Sequence, residues 1–412
     1  MAKQNKLVSA PKLRFPDFRE AEGWDLKHGD DLFDAINNRA PAEVLPILAI
    51  TQEHGAIPRG QINYHVSVTE QSIESYKVVE KGDFIISLRS FQGGIEYSNY
   101  RGICSPAYVI LRRKGKDADG YFRHLFKSAR FIQQLTRNIE GLRDGKMISY
   151  KQFSEQLIPV PIPVEQQKIA TCLTSLDELI AAQGRKVEAL KTYKRGLMQQ
   201  LFPREGETLP RLRFPEFRDA PPWTFARIGN LLKEVSRAID MDDTVEYSLV
   251  TVKRRYSGVV SRERLKGRAI KVKTQFIVRG GDFLISKRQI VHNACGIVPP
   301  ELDGAIVSNE YSVLGPKDGC DIEFFNYFAQ QPAVSLSFLN SSVGIVIEKM
   351  LFKLNTWLNH EFLFPTFEEQ RKIAAFLASV EQNLKAESEK LESLRCHKKG
   401  LMQQLFPSVE GG

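Results

Sequence analysis

The chain has 412 residues, 42% of them hydrophobic and 26% charged, with a net charge of +9 and a pI near 9.1. That length suits two to three domains, and the positive balance favours a polyanionic partner. Its five cysteines (Cys104, Cys172, Cys295, Cys320, Cys396) are scattered without a CxxC pair, which argues against a disulfide framework or a zinc site and fits a reducing cytoplasm. No apolar run approaches the roughly 18–20 residues of a membrane span, and the N-terminus lacks the apolar core of a signal peptide.

In chain order, a lead segment PKLRFPDFR (Pro11 to Arg19) runs to Trp24. Strand-like runs follow at Val44 to Thr51, Asp83 to Leu88 and Ala107 to Leu111, apolar or β-branched and bounded by Gly, Pro or Asn. The stretch from Tyr121 to Asn138 predicts a helix. From Pro161 to Pro203 the residues Ile169, Leu173, Leu176, Ile180, Val187, Leu190, Leu197 and Leu201 fall on a 4-3-4 spacing. That is a period near 3.5, which predicts a long coiled-coil helix. A second lead segment, PRLRFPEFR (Pro210 to Arg218), runs to Trp223. Strand-like runs then come at Glu246 to Val252, Asp282 to Ser286 and Tyr311 to Leu314, and a helical stretch at Ile322 to Gln330. Pro365 to Pro407 repeats the long helix, with Ile373, Leu377, Val380, Leu384, Leu391, Leu394, Leu401 and Leu405 in the equivalent positions. Pro163 and Pro365 precede the two helices, and Pro203 and Pro407 end them.

The second half copies the first. Residues 161–203 and 365–407 align without a gap at an offset of 204, with 21 identities in 43 positions, and both end on GLMQQLFP. The lead segments, the two Trp residues, and KGDFIIS (Lys81 to Ser87) against GGDFLIS (Gly280 to Ser286) keep an offset of 199. Between these anchors the halves diverge, as in SFQGGI (Ser90 to Ile95) against QIVHNA (Gln289 to Ala294). A constant frame holding two different inserts suits a two-part target. The expected organisation is a first α+β globule over 1–160, a helix over 161–203, a second globule over 204–360, and a second helix with a tail over 361–412. Each helix carries a stripe in need of a partner, and each is the nearest match for the other. Pairing is therefore expected through Ile169, Leu173, Leu176, Ile180, Val187, Leu190 and Leu197 with Ile373, Leu377, Val380, Leu384, Leu391, Leu394 and Leu401. Gln183 and Glu387 are polar gaps that can set register. Antiparallel pairing would put the globules at opposite ends of the pair; parallel pairing would put them side by side.

Signatures of catalysis are missing from the sequence. GLRDGK (Gly141 to Lys146) lacks P-loop spacing. Val298-Pro299-Pro300-Glu301 is not the Pro-Pro-aromatic motif of amino-methyltransferases. His360-Glu361 does not continue as HExxH, and the seven histidines show no ligand spacing. A nuclease-like pattern on Pro16, Asp17, Asp25 and Lys27 is not repeated, because Thr224 and Ala226 occupy the second-half positions.

Nucleic-acid signals are present instead. Lys253 to Lys273 holds nine basic residues against one acid, with Tyr256 interleaved. Within it Lys253, Arg254, Arg255, Arg262 and Arg264 are candidates to neutralise phosphates and release counterions. The equivalent stretch, Thr51 to Ser67, is less basic but contains Arg59. The loops after the DFIIS and DFLIS strands are the candidate base readers: Arg89, Ser90, Gln92 and then Arg101 in the first half, and Lys287, Arg288, Gln289, His292 and Asn293 in the second. Arg and Lys suit guanine, and Asn and Gln suit adenine.

With its duplicated globule, its helices opening IPVPIPVEQQKIA and FLFPTFEEQRKIA, and its GLMQQLFP ends, the chain resembles the specificity subunit of type I restriction–modification enzymes. The resemblance covers nearly the whole sequence. It implies two target recognition domains related by pseudo-two-fold symmetry, each reading half of a bipartite asymmetric double-stranded DNA site. It implies two long antiparallel helices forming a coiled coil that acts as a ruler. The implied partners are two DNA-adenine methyltransferase subunits and two restriction subunits. The family's specificity subunit is not an enzyme and binds no cofactor; S-adenosylmethionine, ATP and Mg2+ are expected on the partners. Two rival readings are a self-contained restriction or methylation enzyme with duplicated DNA-binding modules, and a coiled-coil adaptor that does not bind DNA.

Overall fold

A computed structural model describes residues 8–39, 45–61, 74–115, 119–137 and 148–407. Val44, Asn138, positions 62–67 of the Thr51 to Ser67 stretch and the loop 141–146 lie outside these residues. The chain divides into two compact units, one of Met1–Gly184 with Glu389–Gly412 and one of Arg185–Ser388. Each long helix therefore contributes residues to both.

Both units are α+β and share one frame. In the first, a four-stranded antiparallel sheet runs in the order Phe33–Ile36, Val109–Arg113, Phe84–Ile86, Glu96–Tyr97. In the second, the same order is kept by Leu232–Glu234, Tyr311–Pro316, Phe283–Ser286 and Cys295–Ile297. The repeated GDF motif builds this frame. Its glycines have positive φ, +102° at Gly82 and +90° at Gly281, conformations that suit only glycine. Asp83 then accepts the Glu80 N–H at 2.8 Å and a two-pronged pair from Arg112, both at 2.8 Å. Asp282 does the same with the Arg279 N–H at 2.7 Å and Arg237 at 2.6 and 3.0 Å. Behind each lock the strand is buried on both faces, which is why its sequence is a continuous apolar run rather than an alternation.

The inserts share a strand order but differ in sequence and in strand length. The second unit adds a five-stranded sheet containing Glu246–Val252 and Val259–Lys266, with one parallel contact, Leu249 to Ile306. The first unit keeps the same order in shorter strands, Leu48–Thr51 with Gly55–Pro58 and Lys77–Val79 with Gly102–Cys104, joined by a parallel bridge from Ile47 to Ile103 and edged by a bridge from Arg39 to Lys77. The helix expected over 121–138 is two helices, Asp119–Leu125 and Ala129–Thr136. Ser128 breaks it, because its hydroxyl caps the second helix by accepting the Phe131 N–H.

The long helices span Pro163–Gln200 and Phe367–Leu405. Their EQ starts are structural locks. Glu165 is gripped by Arg14 of the first lead segment, with both bonds 2.8 Å, and Glu369 by Arg213 of the second, at 2.9 and 2.7 Å. The following Gln166 and Gln370 donate to the carbonyls of Pro161 and Pro365. A carboxylate in the first turn also suits the positive end of the helix dipole.

Inside the second unit, Lys186 pairs with Glu387 and Lys194 with Glu381. The partner's number falls as the first climbs, so the helices run antiparallel. Inside the first unit, Lys398 pairs with Asp177. The octapeptide ends are core pieces: Leu405 and Phe406 pack with Trp24 and Leu173 in the first unit, Leu201 and Phe202 with Trp223 and Leu377 in the second. Lead segments cap these ends, Leu13 N–H to Gln404 O at 3.0 Å and Leu212 N–H to Gln200 O at 2.9 Å. The identity of the two GLMQQLFP copies follows, since they dock on equivalent surfaces.

Candidate nucleic-acid interface

The seam residues separate into two classes. Ile169, Leu173, Val187, Leu197, Ile373, Leu377, Val380 and Leu391 are buried, whereas Leu176, Ile180, Leu190, Leu384, Leu394 and Leu401 are half-buried. Leu173 and Leu377 are 0% exposed, because a globule covers them as well as the other helix. A pair of helices alone leaves the flanks of its seam open, and Leu176, Ile180, Leu190, Leu384 and Leu394 stay half-buried there. Of the polar gaps, Gln183 is buried and Glu387 engages Lys186.

Each unit also ties its globule to both helices through one carboxylate. In the first, Asp177 receives Lys398 and lies 3.8 Å from Nδ1 of His124, whose Nε2 is 3.1 Å from the Thr174 hydroxyl. Burial, with Lys398 nearby, pushes the His124 pKa down to about 4. In the second, Glu381 receives Lys194 and the phenol of Tyr327 at 2.7 Å. Burial raises that phenol's pKa. The ring changes from His to Tyr between the repeats, and the arrangement stays.

The candidate loop residues of the first unit fall in different settings. Arg89 and Gln92 are exposed around the short helix Ser90–Gly93. Ser90 is 1% exposed, and its hydroxyl accepts the Ser87 N–H at 2.8 Å, so it shapes the turn instead of facing outward. Arg101 is exposed and pairs with Glu80 at 3.1 Å. Arg59 is half-buried at the end of the Gly55–Pro58 strand.

In the second unit, the start of the basic stretch and the loop after the DFLIS strand come together. Arg255 and Tyr256 both have positive φ, 58° and 54°, and their N–H groups donate to the carbonyls of His292 and Asn293 at 2.8 and 2.9 Å. Asn293 is itself left-handed at φ 59°, and its side-chain oxygen accepts from Ser335 at 2.8 Å. Asn293 and Tyr256 thus hold two loops together, and burial pushes the Tyr256 phenol up to about 12. Arg254 donates to Gln289 at 2.8 Å, and Nε2 of His292 lies 3.2 Å from Glu348. Lys287 donates to the Asn309 carbonyl at 2.8 Å, and Arg288 pairs with Glu310 at 2.5 and 3.3 Å. Lys253 and Arg255 are exposed. Farther along, Arg262 pairs with Glu263 at 3.1 Å and Arg264 donates to Ser248 at 3.1 Å, both on the exposed strand Val259–Lys266.

Residues 21–192 match the model of the Type I restriction modification DNA specificity domain. Curated type I restriction enzyme specificity subunits are similar to the chain as well. A type I restriction enzyme MjaVIII specificity subunit from Methanocaldococcus jannaschii is 24% identical over 192 residues, covering 45% of this chain and 43% of that protein. The chain spans about half the length of the curated relatives it matches. A chain from a type I R-M system shares the fold with a TM-score of 0.54 at 18% identity, over 93% of this chain and 97% of that one. A type I restriction-modification system S subunit from M. genitalium does so with a TM-score of 0.55 at 14% identity, over 97% and 99%.

Two features escaped the sequence reading. One is a basic cleft of about 760 Å³ in the first unit. Arg123, Lys127, Arg130, Arg395, Lys398 and Lys399 line it against Glu53, Glu96 and Asp177. Its cations come from separate segments, so no local charge run announces it. Lys127 pairs there with the buried Glu96, whose pKa burial raises. The other is a hairpin, Ser342–Val343 with Leu351–Phe352, whose tip is apolar and exposed. Among the described residues, no group of three His, Cys, Asp or Glu side chains is placed to hold a metal ion, and no helix is long and apolar enough to cross a membrane. Burial pushes the Cys104 and Cys320 thiols up to about 12, which leaves them unreactive near neutral pH.

Proposed function

We propose that this chain is the non-catalytic DNA-binding subunit of a type I restriction–modification complex, acting in the cytoplasm on a bipartite, asymmetric site in double-stranded DNA. The globule within 1–160 reads one half-site and the globule within 204–360 the other. The helices of 161–203 and 361–412 set the spacer and dock two methyltransferase subunits, with two restriction subunits in the full complex. S-adenosylmethionine, ATP and Mg2+ serve those partners.

The observation that carries this reading is one strand framework presented twice with different loop residues on it. A reader of two unlike half-sites needs a shared scaffold and unshared contact loops. In the second globule, Lys253 to Arg255 with Lys287 to Gln289 supply phosphate and base contacts; in the first, Arg89, Gln92, Arg59 and Arg101 do so. The helices run 38 and 39 residues. At 1.5 Å per residue each is about 55–60 Å long. That exceeds the roughly 34–36 Å of one duplex turn, as a spacer element requires.

The test is reconstitution. The chain with its methyltransferase partner and S-adenosylmethionine should methylate a two-part site, and the chain alone should methylate nothing. Methylation by the chain alone, or none by the complex on any duplex, would overturn the proposal.

A further inference from the structure

Four large aliphatic side chains crowd the tip of the hairpin in the second unit. Val343 is 63% exposed, Ile345 103%, Val346 53% and Ile347 55%. Scattered exposed aliphatics are ordinary, but contiguous ones mark a contact surface. The hairpin beneath them is firmly built. Ser342 faces Phe352, and Ser341 and Phe352 are buried. The Phe352 N–H donates to the Lys287 carbonyl at 3.0 Å, which anchors the hairpin to a candidate DNA-contact loop. Gly344 has φ +154°, and a Cβ there would meet the backbone of Met350 at 3.0 Å. The backbone thus fixes the turn that projects the tip.

Basic side chains stand on the loops beside this hairpin. Glu348, on the same hairpin, lies between Arg254 at 3.5 Å and His292 at 3.2 Å. Exposed Lys253, Arg255 and Arg288 stand on the two loops joined to those residues. An apolar protein surface docking here would bury these charges at a cost. Duplex DNA offers both kinds of surface at once, phosphates for the cations and base faces for the aliphatics. We infer that Ile345 to Ile347 form an apolar wedge that presses between bases of the half-site bound by the second unit. This rests on the DNA-binding reading above and adds to it a distortion of one base step. The aliphatic triplet is not repeated in the first half's sequence. In sequence, Gly344-Ile345-Val346-Ile347-Glu348-Lys349-Met350 aligns with Gly141-Leu142-Arg143-Asp144-Gly145-Lys146-Met147, where two of the three aliphatics are charged.

The experiment uses the full chain in complex with its methyltransferase partner, on duplexes carrying the site mapped by methylation sequencing. 2-Aminopurine is placed in turn at each position of both half-sites. With the unaltered complex, fluorescence should rise at one step of the second half-site. The double variant Ile345→Ser, Ile347→Ser should abolish the rise and weaken specific binding about tenfold, with non-specific binding and its salt dependence unchanged. Both positions are exposed, so its thermal melt should match the unaltered chain. Absence of a fluorescence rise in the unaltered complex, or unchanged specific binding by the variant, would overturn the wedge. So would loss of the methyltransferase from the variant on size exclusion, since the tip would then contact protein. If the unaltered complex methylates no two-part site, the functional reading itself falls, a result visible before any variant is made.

Discussion

Replacing Arg213 with Ala should destabilise the second unit by about 3–5 kcal/mol, the usual penalty for orphaning one member of a buried ion pair. The Arg213 side chain is 7% exposed and Glu369 is 1%. Glu369 receives two bonds from Arg213 and one from Trp223 Nε1 at 3.3 Å. Arg213 also donates to the carbonyls of Ala220 and Pro221 at 2.8 and 3.0 Å. Truncation therefore leaves a buried carboxylate without its counter-charge and two carbonyls without a donor. A double variant, Arg213→Met with Glu369→Leu, removes both charges while keeping volume and should recover most of the loss. Urea denaturation followed by tryptophan fluorescence is the assay, because Trp223 sits at the lock. Arg395 and Glu392 supply the control, being 56% and 66% exposed; Arg395→Ala should cost under about 1 kcal/mol. A cost under about 1 kcal/mol for Arg213→Ala would refute the claim that the repeated Arg–Glu pair fastens each lead segment to its helix.

Three further outcomes are expected. Leu173→Ala and Leu377→Ala should each cost about 2–5 kcal/mol, whereas Leu190→Ala and Leu394→Ala, half-buried, should cost less in the same urea titrations. Asn293→Ala should cost about 1–3 kcal/mol by forcing a left-handed alanine and stripping Ser335 of its acceptor, while Asn293→Gly should be milder by thermal melting. His124 titrates near 4 when folded and near 6.5 when unfolded, so between these values the unfolded chain binds more protons and stability rises with pH. Its contribution is complete above about 6.5 and lost as pH falls toward 4, a change on the order of 3 kcal/mol. His124→Gln should flatten that slope in urea titrations at stepped pH.

The duplication, the long helices and the buried DFIIS and DFLIS strands were legible because each is written in local periodicity or direct repetition. The role of the EQ pair was not, because Glu165 and Glu369 meet arginines 151 and 156 residues earlier in the chain. Ser128 hid the break in the helix after Tyr121, since a serine inside a helical pattern reads equally as a surface position or a cap. The loop candidates were found by residue type alone. That criterion cannot tell exposed Arg89 from buried Ser90, or a contact residue from Asn293, which is spent on holding a left-handed turn. The basic cleft and the apolar hairpin tip were missed for opposite reasons. One is assembled from distant segments, and the other reads as an ordinary buried strand until its exposure is known.

The central claim, that two modules on one frame read separate half-sites, is tested most directly by exchange. Tyr247 to Leu314 would be replaced by the equivalent region of another family member, and the methylated sites mapped by single-molecule sequencing with the methyltransferase partner present. One half-site should change, while the other half-site and the spacer length stay fixed. A change in both half-sites, or in neither, would contradict the account.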